Sequence, residues 1–315
     1  MFAPIEPFET GLLEVGDSQQ IYWECSGNPK GHPVVYLHGG PGSGCTPQNR
    51  RYFDPQAFRI VLTDQRGCGR SRPLVERRSD LEVNTTPHLI DDLERLREHL
   101  QVERWTVVGG SWGTTLGLAY AHALPARIAA LVLACVTTTS RREVQWITQD
   151  VGRIFPEQWE RFATVGNRGP VARADLADLY AELVFSDDAA VRASAAREWC
   201  AWEDIHVSLA PGYLASRRFE DPDFRLLFTR LVTHYLRHAA FLGEDELIRN
   251  ASALNGIPGV LLHSRYDVSS PLETAWQLHR GWSGSVLRVF GDAGHGGSSL
   301  SEGIVEAMNQ IARKG

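Results

Sequence analysis

Short apolar runs recur along the first 140 residues, separated by glycine-rich turns and amphipathic stretches. QQIYWEC (19–25), PVVYLHGG (33–40), FRIVLTDQ (58–65), RWTVVGG (104–110) and RIAALVLAC (127–135) read as strands. The later runs are nearly continuous in Val, Leu and Ile, the composition of parallel strands covered on both faces. Between them, Thr85 or Thr86 caps an amphipathic helix through LIDDLERLREHL (89–100), with Pro87 in its first turn. A second helix is expected directly after Ser111. Strands alternating with helices imply βαβ units and a mostly parallel sheet.

The pattern changes between about 140 and 240. Strand signals vanish, and REVQWITQDVGRIF, DLADLYAELVF, VRASAAREWCAWEDIHVSL and DFRLLFTRLVTHYLRHAAFL follow one another as helical segments. Trp146, Trp159, Trp199 and Trp202 fall in this stretch. The strand–helix rhythm resumes with GVLLHSRYD (259–267), a helix from about Pro271, SVLRVFGD (285–292) and a closing helix over roughly 300–313. The expected organisation is an α/β core of 1–139 and 241–315 interrupted by a helical cap of 140–240.

Composition narrows the function. The 32 basic and 38 acidic residues give a formal charge of -6, so no basic excess meets nucleic acid or an anionic membrane. No run of about 18 apolar residues is present to span a bilayer. MFAPIEPFET lacks a basic leader region and is broken by Glu6 and Glu9, which is unlike a signal peptide. Cys25, Cys45, Cys68, Cys135 and Cys200 are odd in number, widely spaced and without a CxxC pair. They suit a reducing, cytoplasmic setting, and argue against a disulfide framework or a thiolate metal site. Asn84-Thr85-Thr86 fits a glycosylation sequon, which a cytoplasmic chain leaves unmodified.

Gly109-Gly110-Ser111-Trp112-Gly113 is a G-x-S-x-G pentapeptide between the apolar run WTVV and the helical pattern TTLGLAYAHAL. In that context a sharp strand-to-helix turn exposes the serine hydroxyl above the sheet and aims the helix N-terminus at it. A serine hydroxyl needs an adjacent base, and enzymes with this turn supply acid and base in the order Ser, Asp or Glu, His. Asp267 and His295 both follow strand-like runs, at the sheet edge where open α/β sheets place their sites. Ser111 is the expected nucleophile, His295 the general base and Asp267 the supporting acid. Asp292 is the rival acid, but lies on the same loop as His295 and would have to fold back. His263 sits inside a strand pattern and reads as core. His122 and His279 read as surface or packing residues, and His206 and His234 as pocket-lining at most. His38-Gly39-Gly40-Pro41-Gly42 follows a strand, so the N–H groups of Gly40 and Trp112 are the candidate oxyanion donors, with Gly39 the alternative to Gly40. His38 reads as a loop-structuring imidazole.

These residues carry a resemblance. HGGPGSG (38–44), DQRGCGRSRP (64–73), NTT (84–86), GGSWGTTLGLAYA (109–121), RYDVSSP (265–271) and AGH (293–295) together resemble the proline iminopeptidases of the α/β-hydrolase superfamily, through nearly the whole chain. The resemblance implies an α/β-hydrolase fold with a helical cap, no cofactor, and release of an N-terminal residue, preferably proline, from a small peptide or aminoacyl substrate. A free ammonium must then be met by carboxylate, since leaving it buried and unpaired is very costly. Trp199-Cys200-Ala201-Trp202-Glu203 matches the family's W-x-x-W-E pattern and makes Glu203 the candidate amine anchor. A second family acid, in an E-N-H-Y segment, is replaced here by Val232 of Val232-Thr233-His234-Tyr235. VTTTSRREVQWITQDVGR (136–153) also departs from the family pattern. Both departures bear on proline preference more than on hydrolysis. The alternative function is an esterase, amidase or acyltransferase using the same triad on a non-peptide small molecule. Cys45 and Cys68 read as buried loop residues near the site.

Overall fold

The structure is a computed structural model that describes residues 1–165, 176–207, 209 and 216–313. Its strands are β1 (Glu9–Gly16), β2 (Gln19–Gly27), β3 (His32–Leu37), β4 (Phe58–Asp64), β5 (Trp105–Gly110), β6 (Ile128–Ala134), β7 (Gly259–Ser264) and β8 (Ser285–Phe290). They form one sheet in the order β1-β2-β4-β3-β5-β6-β7-β8. Only β2 runs against its neighbours, pairing antiparallel with β1 and β4. The remaining pairs are parallel. β4, β5 and β6 are buried almost throughout, as continuous apolar runs demand when helices cover both faces. β1 was not foreseen. Its ETGLLEVG buries only Val15 fully, because it is an edge strand with one solvated face.

Helix α1 (Thr86–His99) starts at Thr85 with proline in its first turn and buries Leu89, Leu93 and Leu96, an i, i+4, i+7 stripe laid on the sheet. Helix α2 (Trp112–Ala123) follows β5 after one residue and is buried from Trp112 to Ala121. These two pack with β2, β5 and β6 into the main core. On the other face, Phe53, Phe58, Leu300, Ile304 and Met308 close a second cluster over β3, β4 and β6.

Between β6 and β7 the described residues form helices joined by turns and loops, with no strand among them. It forms α3 (Arg141–Thr148), α4 (Pro156–Ala163), α5 (Leu176–Leu183), α6 (Ala189–His206) and α7 (Pro222–Arg237). These helices have their own apolar cluster around Phe162, Tyr180, Trp199, Trp202 and Phe228. Phe162 stacks on both Tyr180 and Trp202 with ring centroids 4.8 and 5.2 Å apart. REVQWITQDVGRIF is not one helix. It breaks at Gln149 into a short turn over Asp150–Arg153, where Gly152 lies against the indole of Trp159. DFRLLFTRLVTHYLRHAAFL ends its helix at Arg237, since Ala239, Ala240 and Phe241 all take positive φ. Asp175 and Ser208, within two of the predicted segments, lie outside the described residues. The fold closes with α8 (Leu272–Gly281) and α9 (Ser298–Ala312). No helix among the described residues is long and apolar enough to cross a membrane.

Candidate active site

The parallel strands end on one side of the sheet, and the loops leaving β3, β4, β5, β6, β7 and β8 gather there. Ser111 occupies the turn between β5 and α2 at φ 55° and ψ -127°, a conformation an L-residue rarely holds without surrounding constraint. Two contacts supply it: Ser111 N donates to Ala134 O at 2.9 Å and Thr114 N to Ser111 O at 2.7 Å. The flanking glycines are sterically required. A Cβ on Gly113 would stand 2.1 Å from Leu37 O, and one on Gly109 2.4 Å from Gly113 O.

The three distant residues meet. Asp267, in the loop after β7, accepts from His295 Nδ1 with its two oxygens at 3.0 and 2.9 Å. A carboxylate only accepts, so Nδ1 carries the proton and Nε2 is free to take one. Nε2 lies 2.7 Å from Ser111 Oγ, which donates to it. Ser270 N donates to Asp267 Oδ1 at 2.9 Å and holds the carboxylate in place. Burial on its own would lower the pKa of His295, but the charge and hydrogen bond of Asp267, helped by Glu203, outweigh it and leave the imidazole raised. Asp292 stays away, bonded to Ser299 Oγ at 2.9 Å on the exposed side of the loop.

Gly40 and Trp112 border the same small cavity as Ser111 and His295, and Gly39 does not. Neither the Gly40 nor the Trp112 N–H makes a backbone hydrogen bond among the described residues. Their loops are braced by Gln65, which follows β4. Its side chain donates to His38 O at 3.0 Å and accepts from Trp112 Nε1 at 3.0 Å, while its own N–H donates to His38 Nε2 at 3.0 Å. His38 therefore structures this loop. The Gly40–Pro41 peptide is cis.

Glu203, near the end of α6, borders the cavity from the helical side. Its carboxylate is 3.5 Å from His206 Nε2, and His206 Nδ1 is 2.9 Å from Ser269 Oγ. Burial would raise the pKa of Glu203, yet the neighbouring His206, Arg218 and His295 hold it below the ordinary carboxylate value. The charged form is the resting one. The cavity measures about 50 Å³, with Ile147, Val232 and Leu236 on its walls. A much larger cavity of about 1010 Å³ lies between α3, α4 and α5, and its lining among the described residues includes no paired nucleophile and base.

The geometry can be set beside known proteins. The family model of the alpha/beta hydrolase fold matches residues 32–299. A probable proline iminopeptidase of Streptomyces coelicolor is 48% identical over 100% of this chain and 98% of its own. The proline iminopeptidase of Arabidopsis thaliana is 42% identical over 94% of this chain and 77% of its own. The chain belongs to the proline iminopeptidase family. It is an α/β-hydrolase enzyme. A solved proline iminopeptidase of Mycobacterium smegmatis, only 17% identical, shares the fold with a TM-score of 0.66 over 97% of this chain and 99% of that one.

Within the proline iminopeptidase family pattern, Val232 stands at the position expected to carry a second acid, and it is 3% exposed at the cavity wall. NTT proves structural: Asn84 donates to Arg66 O at 3.0 Å and accepts from Tyr235 OH at 2.6 Å, so its side chain is sealed from modification. The DQRGCGRS stretch links loops. Asp64 accepts from Cys45 N at 2.7 Å and Arg70 Nε at 2.7 Å, and Arg70 reaches Glu24 at 2.9 Å. Cys45 and Cys68 are held there as thiols, their pKa values pushed far up by burial and by Asp64. All five cysteines are unpaired. His234 is tied to Asn84 O at 2.8 Å, and His279 to Ser285 Oγ at 2.8 Å. Sequence reasoning had assigned no role to Gln65 or Ser270. Both lie inside family motifs, Gln65 in DQRGCGRSRP and Ser270 in RYDVSSP, and that was the signal available for each.

Proposed function

We propose that this chain is a serine aminopeptidase that releases an N-terminal proline or another small residue from short peptides. The observation that carries the reading is a hydrogen-bonded serine–imidazole–carboxylate array sharing one small cavity with a charged, mostly buried glutamate. In this reading His295 takes the Ser111 proton as Oγ attacks the carbonyl of the N-terminal residue. The N–H groups of Gly40 and Trp112 receive the developing oxyanion. His295 then gives the proton to the leaving amine, and water, activated by the same imidazole, releases the acyl group. Asp267 holds the imidazole tautomer and stabilises the cation that forms. Glu203 meets the free ammonium, which positions the first residue over Ser111 and excludes substrates with a blocked N-terminus. The acyl-transfer chemistry calls for no cofactor or metal.

Residues 140–240 act in this reading as a cap over a core of 1–139 and 241–315. Unpaired cysteines are compatible with a cytoplasmic setting. The test is a panel of aminoacyl-naphthylamides, prolyl included, beside N-acetylated analogues and short-chain nitrophenyl esters, with fluorophosphonate labelling of Ser111. Preference for the free-amine prolyl substrate and an adduct on Ser111 are expected. Equal rates on blocked and free amines would defeat the aminopeptidase reading, and a missing adduct would defeat the nucleophile assignment.

A further inference from the structure

His263, the penultimate residue of β7, has no exposed surface and sits beneath the loop that carries Asp267. Its Nδ1 accepts from Val136 N–H at 3.1 Å. A backbone N–H only donates, so the ring proton lies on Nε2. Nε2 is 2.7 Å from Ser270 O and donates to it. The same nitrogen lies 3.7 Å from Asp267 Oδ2, and Ser270 N–H donates in turn to Asp267 Oδ1 at 2.9 Å. One rigid ring thus joins the segment after β6 to the loop after β7, and borders the carboxylate that meets His295.

We propose that His263 is a positioning residue of the hydrolytic site: as a neutral imidazole it clamps the Asp267 loop to the segment after β6 and so holds the carboxylate on His295. The inference rests on the proposed triad. Neutrality is built in by the contacts. A proton on Nδ1 would set one N–H against another at Val136, in a place where water cannot intervene. Burial also lowers the proton affinity of the ring, although Asp267 pulls the other way. A cation at this position would compete with His295 for the Asp267 charge, whereas a neutral ring directs an N–H edge without cancelling it.

The charged and titratable groups facing this arrangement come from several elements. Asp267 lies in the loop after β7, His295 in the loop after β8, and Glu143 on α3. Cys135, at the end of β6, bears on Asp267. Glu203 and Arg218 act on His295 from the helical side. A side chain that only filled space would serve none of the hydrogen-bonding functions. The donor edge toward Ser270 carries the positioning, and the acceptor edge toward Val136 keeps the ring proton on that edge.

The test begins with fluorophosphonate titration of the wild-type enzyme, which counts competent Ser111 and checks the triad independently. Rates of each variant are then expressed per labelled site, so that misfolded protein drops out. His263→Phe removes both hydrogen bonds. It is expected to lower kcat on the order of a hundredfold, the scale of a misplacement of about 1 Å at a reacting group, with KM nearly unchanged. The acid limb of kcat/KM should move to lower pH, because Asp267, which raises the imidazole, no longer lies squarely on it. His263→Gln places an amide nitrogen near the Nε2 position and should retain most of the rate. His263→Asn keeps an acceptor for Val136 but falls short of Ser270, and should behave like the phenylalanine variant. If His263→Phe does not fold, the Gln and Asn pair carries the comparison. Equal behaviour of Gln and Asn, or an unmoved acid limb in the impaired variants, overturns the inference while leaving the triad standing. Absence of an adduct on wild-type Ser111 overturns both.

Discussion

Replacing Glu203 by glutamine tests how the site reads an amine. The carboxylate has 17% of its side-chain surface exposed and lies 3.5 Å from His206 Nε2, so an arriving ammonium would meet it largely out of water. At an ion-pair distance of about 4 Å and an effective dielectric of about 20, the attraction is about 4 kcal/mol. Glutamine keeps one acceptor oxygen, and a hydrogen bond to a charged group returns part of that attraction. The net loss is then about 3 kcal/mol, close to a hundredfold in kcat/KM. The assay compares prolyl-naphthylamide with a nitrophenyl acetate, measured well above the acid limb of the profile. The aminoacyl substrate should lose about two powers of ten and the ester should change little. A second signature follows from His295. Glu203 is among the charges that raise it, so Glu203→Gln should move the acid limb of ester hydrolysis to lower pH. A parallel fall for both substrates, or no loss for the aminoacyl one, would refute the reasoning that Glu203 meets the amine.

Three further outcomes follow from the same contacts. His295 must be unprotonated to act as a base, and its pKa is raised, so activity should fail as pH drops through a value above the ordinary imidazole value of about 6.5; Asp267→Asn should cost about four powers of ten in kcat and shift that limb acidward, read from full pH–rate profiles. Gly113→Ala drives a methyl group to 2.1 Å from Leu37 O and 3.1 Å from His38 O, both backbone, and should destabilise the fold by about 3 kcal/mol in urea unfolding while lowering the rate per labelled site. Asn84→Ala leaves Tyr235 OH without its acceptor and Arg66 O without its donor, and should cost about 2–4 kcal/mol of stability by the same measurement.

Much of this was legible in the chain because the relevant signals are local. Apolar runs as continuous as WTVV and IAALVLA belong to covered parallel strands, and the residues immediately after them are placed at one sheet edge by topology alone. Ser111, Asp267 and His295 could be named for that reason. β1 escaped because Glu9, Thr10, Leu12 and Glu14 face solvent, leaving too few buried positions to make a run. Gln65 and Ser270 escaped for a different reason. Their contacts join loops from different strands, and which loop a polar side chain reaches is settled by sheet order, not by neighbours in sequence. His263 shows the limit most clearly: its strand position correctly implies burial, but burial alone does not say that both ring nitrogens are engaged.

The helical side of the site carries a similar division of labour. His295 N–H donates to Val207 O at 2.7 Å, directly after the end of α6, and Glu203 lies one turn earlier on that helix. The element that presents the proposed amine-binding acid therefore also holds the backbone of the proposed general base. His206, between them, reaches Ser269 in the loop that carries Asp267. A shift of α6 on substrate binding would move Glu203 and the His295 loop together. Binding of the ammonium and alignment of the imidazole are then one event, which gives the site a physical means of favouring free-amine substrates at the chemical step as well as in affinity. Esters lacking the amine would be predicted to show a lower kcat, and not merely a higher KM, than aminoacyl esters of the same leaving group. The comparison should be made in single-turnover acylation, where product release does not intervene, and equal acylation rates at saturation would separate the two functions of α6.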